Sequence, residues 1–304
     1  MVMCALADLN GYAVDLGGTK LAAVSIVAGQ VQDALVRKTR SADGPDALVR
    51  DLAHISRDIG YTAGAPIGVA VAGKLDEQGL WSSVNHTILK DLNKLPLVDC
   101  LSNAMGPGVV ALNDTQAAAI GEFRFGAGQG VASLAYLTVS TGISAGFMLN
   151  GQPLQSPNGM LGHVGAMVSR TGDRNCGCGR VGTYESIASG RAIEAMAAEQ
   201  GYPGFACHQV FAAAATGERW AQTLMDNACA AIAELCANLA AVLGVERVVL
   251  GGGVGLADDF LSGVRRHLSR EPEQFQPQLV PAGLGKHSAM YGALSAAVAK
   301  GNLS

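Results

Sequence analysis

Tyr12-Ala-Val-Asp15-Leu-Gly-Gly-Thr-Lys20-Leu-Ala-Ala-Val-Ser-Ile-Val27 carries two apolar runs joined at a Gly-Gly bend. With Val31 to Val36 beyond Gly29, residues 11–39 read as three strands of a meander. Pro45 to Asp58 sets Leu48, Leu52 and Ile55 on one helix face, with Pro45 near the helix start. Ile67 to Ala72 reads as a buried strand ending at Gly73. Residues 95–104 read as a helix, Gly108 to Leu112 as a strand, and Asp114 to Phe123 as a helix opened at the strand end.

A second cycle follows. Strands Ala132 to Val139 and Ala145 to Leu149 flank Ser140-Thr141-Gly142, and residues 151–183 are Gly-rich and irregular. Ser186 to Glu199, Ala221 to Leu243 and Asp258 to Leu268 read as helices, Arg247 to Leu250 as a strand, and Lys286 to Ala299 as a last, Ala-rich helix. Two rounds of strands then helix predict an α/β fold of two duplicated lobes around a cleft. The expected division is residues 1–115, rejoined by the C-terminal helix 286–304, against residues 116–285.

Composition narrows the function. Nearly half of the 304 residues are hydrophobic, 40 are Gly and few are aromatic, which suits tight helix-on-sheet packing. The formal net charge is −4, without a Lys/Arg-rich block, so no nucleic-acid partner is expected. The stretch Met1 to Gly11 has no basic start or apolar core of a secretion signal, and the apolar run from Ala228 to Val245 is interrupted by Glu234 and Asn238. No membrane segment is expected. Seven scattered cysteines, an odd number, point to reduced thiols and the cytoplasm.

Three features carry chemistry. Asp15-Leu-Gly17-Gly18-Thr19-Lys20 can turn its backbone N–H groups onto a phosphate, with Asp15 placed to hold Mg²⁺ through water. Read alone, it is more readily a Gly-Gly hairpin with a capping Asp. Ser140-Thr141-Gly142 is a second hydroxyl-and-glycine bend, and two such bends, one per lobe, suit a cleft gripping a triphosphate. Gly251-Gly252-Gly253, after the strand Val248-Val249-Leu250, is a third place where a ligand meets bare backbone. Asn113-Asp114 ends a strand; Asp114 is either a helix cap or the carboxylate that takes a hydroxyl proton during phosphoryl transfer.

Three literal motif matches fail on context. Gly177-Cys-Gly-Arg-Val-Gly182 follows no strand, Gly142-Ile-Ser-Ala-Gly146 precedes a strand instead of a helix, and Gly285-Lys-His-Ser288 lacks the earlier Gly of a P-loop.

From Asp15 to the last helix the chain resembles the ROK family of sugar kinases and repressors. The resemblance rests on Asp15 to Lys20, Gly73, Asn113-Asp114 with Glu122, Ser140 to Gly142, Cys176-Gly-Cys178-Gly-Arg180-Val-Gly182-Thr-Tyr-Glu185, Ser189-Gly-Arg191 and Gly251 to Gly255. Ile187-Ala-Ser-Gly-Arg191 and Gly252-Gly-Val-Gly-Leu-Ala257 are most similar to the branch that acts on N-acetylmannosamine.

The resemblance implies an actin/hexokinase-like (ribonuclease H-like) two-lobed fold and ATP- and Mg²⁺-dependent phosphorylation of a sugar, N-acetylmannosamine at its C6 hydroxyl. Glucokinase, N-acetylglucosamine kinase and a non-catalytic sugar-binding protein are the alternatives. It implies Asp114 as general base; Asn113, Glu185, His163, Gly73 and Asn85 as sugar contacts; and Asp15, Gly17, Gly18, Thr19, Lys20, Thr141, Gly142, Gly252 and Gly253 as nucleotide contacts. A homodimer is also implied. A DNA-binding repressor is not expected, since only 14 residues precede Asp15.

The family's structural zinc needs one His and three Cys. Here the His position is Ala166 and the third Cys position is Thr183, leaving Cys176 and Cys178. Tetrahedral zinc needs four good ligands, so its loss is expected.

Overall fold

Alternating apolar residues and the Gly-Gly bend give an antiparallel meander of β1 (Gly11–Leu16), β2 (Lys20–Val27) and β3 (Gln30–Lys38). The computed structural model describes residues 5–40, 43–85, 89 and 91–301. The readings for Met1 to Cys4 and residues 302–304 lie outside them. After α1 (Pro45–Asp58), β4 (Ile67–Val71) joins β1 in parallel. Three short strands form a small separate sheet: β5 (Lys74–Leu75), β6 (Leu80–Ser82) and β7 (Leu95–Pro96). Then α2 (Leu97–Met105) leads to β8 (Val110–Asn113), parallel to β4, and to α3 (Asp114–Phe125).

The second half repeats the plan. β9 (Leu134–Val139), β10 (Ile143–Leu149) and β11 (Gln152–Pro153) form a meander. The helices α4 (Tyr184–Ala188), α5 (Gly190–Glu199), α6 (Cys207–Ala215) and α7 (Arg219–Leu243) follow. Next come β12 (Arg247–Gly251), α8 (Gly252–Gly255), α9 (Asp258–Leu268), β13 (Gln278–Pro281) and α10 (Ser288–Gly301). Among the described residues the two five-stranded sheets run β3-β2-β1-β4-β8 and β11-β10-β9-β12-β13. Strand for strand the order is the same, an antiparallel meander continued by two parallel strands. The inner parallel strand β4 is buried along its whole length, as a strand covered on both faces must be.

Each sheet has its own core. Val14, Leu52, Ile55, Val69 and Trp81 pack beneath the first, and Leu137, Ile232, Leu235, Leu250 and Phe260 beneath the second. Contrary to the sequence expectation, α7 is long and apolar enough by composition to cross a membrane. Its apolar face, with Leu224, Ile232 and Leu239, lies in the second core. Its two interrupting polar residues have partners: Glu234 accepts from the Ser169 hydroxyl (2.8 Å) and the Arg170 N–H (3.1 Å), and Asn238 Nδ2 donates to the Tyr184 hydroxyl (2.8 Å).

The last helix returns to the first sheet, where Met290 and Leu294 pack with Val24 and Ile26. It also crosses α3 with backbone against backbone. A Cβ on Gly292 would overlap the Ala117 carbonyl oxygen, and one on Gly121 would overlap that of Ser288. The buried Glu122 carboxylate fastens the crossing, accepting from Ala127 N–H (2.8 Å), Gly283 N–H (2.9 Å), Leu284 N–H (2.9 Å) and the Ser288 hydroxyl (2.6 Å).

Some expected elements shift. The helix read over Ser186 to Glu199 is two helices, because Ser189 adopts extended backbone (φ −71°, ψ 155°) and its side chain caps α5 by accepting from Ala192 N–H. The strand read from Gly108 begins at Val110 and runs through Asn113. The small sheet β5–β7, α6 and β13 were not foreseen; β5, β7 and β13 are too short or Pro-interrupted to show a period.

The glycine crossing gives a stability prediction. Gly292→Ala is expected to destabilise the fold by about 1–3 kcal/mol through overpacking, read from the denaturant midpoint. Gly253→Ala, with open space around the new Cβ, is expected to stay within about 0.5 kcal/mol of wild type.

Candidate active site

The two bends predicted from sequence face one cavity of about 380 Å³. Gly17, Gly18, Thr19 and Lys20 form one wall, at the β1–β2 turn. That turn is closed by Gly17 N–H donating to the Lys20 carbonyl (2.8 Å) and held from outside by the Thr39 hydroxyl on the Gly17 carbonyl (2.8 Å). Ser140, Thr141 and Gly142 form the facing wall, at the β9–β10 turn. There Ser140 N–H donates to the Gly142 carbonyl (2.9 Å), and Gly190 N–H at the start of α5 donates to the Ser140 carbonyl (2.7 Å). Asp15 lines the floor at the end of β1.

Asp114 is half-buried in the same cavity, as the first residue of α3. Asn113 is its helix cap: its Oδ1 accepts from Thr115 N–H (3.1 Å) and Gln116 N–H (3.1 Å), and its Nδ2 donates to the Gly73 carbonyl (2.8 Å). The Asn113 side chain also hydrogen-bonds the Asp114 carboxylate, which favours its ionised form. On the other side, Thr115 Oγ1 is within 3.1 Å of both Ser144 Oγ and the Ala145 carbonyl on β10. The start of α3 is therefore clamped to both sheets, with Asp114 between the clamps.

Burial raises the Asp114 pKa to about 7, helped by the negative charge of nearby Asp15 and opposed by the hydrogen bond from Thr115 N–H. Burial likewise raises Asp15 to about 6, against the pull of Lys20. Two carboxylates in one water-poor cavity favour holding a proton, a common mark of acid–base or cation sites.

Glu185, on α4, also lines the cavity and reaches across it. Its Oε1 accepts from Asn85 Nδ2 (2.7 Å) and its Oε2 from Ile143 N–H (3.1 Å). His163, in the turn before a short 3₁₀ segment, presents a buried Nε2 with no partner within the protein. Burial and the charge of Lys74 lower its pKa to about 4, so the ring is neutral near pH 7. Gly73 joins the same lining.

Of the remaining candidates, Gly253 lines a second cavity that shares Thr19, Ser140 and Thr141 with the first, together with Arg191, Glu194, His208 and Phe211. Gly252 lines neither cavity. Its φ of 83° and its backbone, pressed against the Val139 carbonyl, make it a packing glycine. Sequence reasoning missed Lys286, His287 and Met290, which also line the first cavity. Lys286 and His287 belong to a 3₁₀ turn just before α10, and His287 Nδ1 is buried without a partner. The available signal was a basic pair ahead of a helix, which the search for a complete P-loop passed over.

The segment expected to have lost zinc is held by other means. Ala166 has no side-chain ligand atom, and its carbonyl accepts from Arg180 Nη1 (2.7 Å). Thr183 caps α4, its hydroxyl oxygen accepting from Ser186 N–H (3.2 Å). Among the described residues no group of three or more His, Cys, Asp or Glu is placed to hold a metal ion. The donor set does not fit tetrahedral zinc.

Comparison with known proteins agrees with this geometry. Residues 11–300 match the ROK family. The N-acetylmannosamine kinase of Pasteurella multocida is 34% identical over 282 residues, covering 92% of this chain and 94% of that protein. The N-acetylmannosamine kinase of Shigella boydii is 35% identical over 286 residues, covering 94% and 97%. The crystal structure of a ROK hexokinase from Thermus thermophilus superposes with a TM-score of 0.78 at 30% identity, covering 97% of this chain and all of that one. A ROK glucokinase from Streptomyces griseus, in complex with glucose and AMPPNP, has a TM-score of 0.81 at 24% identity and covers 95% of this chain and 99% of that one, a likeness of fold. The chain has the actin/hexokinase-like fold and belongs to the ROK family.

Proposed function

We propose that this protein transfers the γ-phosphoryl group of ATP to the C6 hydroxyl of N-acetylmannosamine. The observation that carries the proposal is the convergence of Asp114 and both glycine-bearing bends on one cavity. The N-acetylmannosamine kinases among its relatives supply the choice of sugar.

In this reading the triphosphate lies between the Gly17–Lys20 and Thr141–Gly142 turns, with its nucleoside in the second cavity beside Gly253. Mg²⁺ usually takes one or two carboxylates plus phosphate oxygens and water, so Asp15 is a sufficient protein anchor. When bound, it would neutralise charge on the phosphates. The sugar is held by Glu185, Asn85, Asn113, and His163, whose unpartnered Nε2 a hydroxyl would satisfy. Gly73 lines the same cavity and holds the Asn113 amide through its carbonyl.

Asp114 accepts the hydroxyl proton as the oxygen–phosphorus bond forms and ADP leaves. General-base help of this kind is worth about 10²–10⁴-fold. We read the first sheet with α10 (residues 1–115 and 286–304) and the second (residues 116–285) as lobes that close on the substrates and exclude water. A cytoplasmic homodimer without structural zinc completes the proposal.

Five outcomes test it. Asp114→Asn is expected to lower kcat by about 10²-fold or more while sugar binding persists; a variant keeping a tenth of wild-type turnover contradicts the base role. In a coupled ADP assay, N-acetylmannosamine is expected to give a higher kcat/KM than N-acetylglucosamine or glucose, and a preference for glucose would move the acceptor assignment.

The base must be ionised, so kcat/KM at saturating Mg-ATP should fall as pH drops below the raised Asp114 pKa of about 7, and level off above it. In the residual activity of Asp15→Asn, the acid limb should shift to lower pH, because removing a neighbouring negative charge makes Asp114 easier to ionise; an unmoved limb contradicts the pairing. Metal analysis of the purified protein is expected to find no stoichiometric zinc, and one tightly held zinc per chain would overturn that part.

A further inference from the structure

The segment around Cys176 and Cys178 is a hydrogen-bonded hairpin, and its tip, at Cys178, lines the cavity read as the sugar pocket. Gly182 N–H donates to the Arg174 carbonyl (2.7 Å), Cys176 N–H to the Arg180 carbonyl (2.8 Å), and Asn175 bridges Val181. Arg174 pairs with Glu199 on α5, anchoring the base of the hairpin. The tip is tightened by Gly179 N–H donating to the Cys176 carbonyl (2.9 Å).

That tip lies against the Asn85–Glu185 pair. Cys176 Sγ is 3.9 Å from Glu185 Oε1, the oxygen that also receives Asn85 Nδ2 at 2.7 Å. A Cβ on Gly177 would overlap Asn85 Oδ1 and stand 2.9 Å from both Cγ and Nδ2. The backbone of Gly177 is not in the left-handed region, so its conformation does not call for glycine. Only Asn85 does. The atoms in the way are the end of one short side chain, so the carboxamide would swing aside and the hairpin would stay folded.

We propose that Gly177 is a positioning residue: its bare backbone lets the Asn85 carboxamide seat on Glu185 and so sets the affinity of the pocket for sugar. The proposal rests on the sugar-kinase reading above, and deepens it by placing part of the specificity in this hairpin. Gly177 acts through Asn85 and touches no substrate.

The test is a double-mutant cycle read by calorimetric binding of N-acetylmannosamine, N-acetylglucosamine and glucose to wild type, G177A, N85A and G177A/N85A, with the KM for ATP and Tm measured on each. G177A is expected to weaken binding of the preferred sugar by about tenfold, the scale of one lost hydrogen bond to a charged group, with the KM for ATP and Tm unchanged. In the N85A background G177A is expected to cost nothing further. Wild-type affinity in G177A, an equal loss in both backgrounds, or a loss that tracks a fall in Tm overturns the proposal. A wild-type protein that binds sugar but transfers no phosphate contradicts the kinase reading and leaves the role of Gly177 standing; one that binds none of the three sugars overturns both.

Discussion

The close crossing of α3 and α10 at Gly121 and Gly292 is the constraint on which the cleft depends. Two helix backbones in contact cannot slide without clashing, because a carbonyl on each already occupies the space a Cβ on the other would need. Glu122 locks the crossing near the end of α3 with hydrogen bonds from the turn before α10 and from Ser288. The start of the same helix is held by Asn113 to the Gly73 carbonyl on one side and by Thr115 to β10 on the other. Asp114 thus stands on a rigid strut between the two sheets, and both glycine-bearing bends are carried by strands of those sheets.

Two acidic residues on this one helix show how environment separates structure from chemistry. Glu122 is fully buried and its oxygens receive four hydrogen bonds, an arrangement that spends the whole carboxylate on holding the fold. Asp114, two turns earlier, receives Thr115 N–H and faces another carboxylate across a cavity. Burial and the charge of Asp15 outweigh its hydrogen bonds and penalise the ionised form, a condition that suits a group taking a proton near neutral pH. Lys20 and Lys286 both line this cavity and bring positive charge to it.

Much of this was readable in the sequence, for physical reasons that also explain what was not. The two meanders announced themselves through alternation and Gly bends, and the α/β repeat followed from finding the pattern twice. Asp114 was singled out at a strand end as either a helix cap or a base, and in the structure the cap is its neighbour Asn113. The Asn85–Glu185 contact spans 100 residues of chain and has no local signature. Lys286 and His287 were hidden by a motif that asked for the wrong loop, and the break at Ser189 by a helix period that continues through a capping serine. Gly252 was taken for a ligand contact, whereas its positive φ and its approach to Val139 account for it as packing. Glu234, which marked an interrupted apolar run, proved to be the anchor of the segment beginning at Ser169.

The central claim is that the Asp114 carboxylate meets the acceptor hydroxyl in line with the transferring phosphoryl group. A crystal structure with N-acetylmannosamine and a non-hydrolysable ATP analogue measures this directly. The account predicts Asp114 within about 2.6–3.2 Å of the C6 hydroxyl, with the terminal phosphate between the two glycine-bearing bends. A sugar bound with that hydroxyl turned away from Asp114, or a triphosphate seated elsewhere, would contradict it.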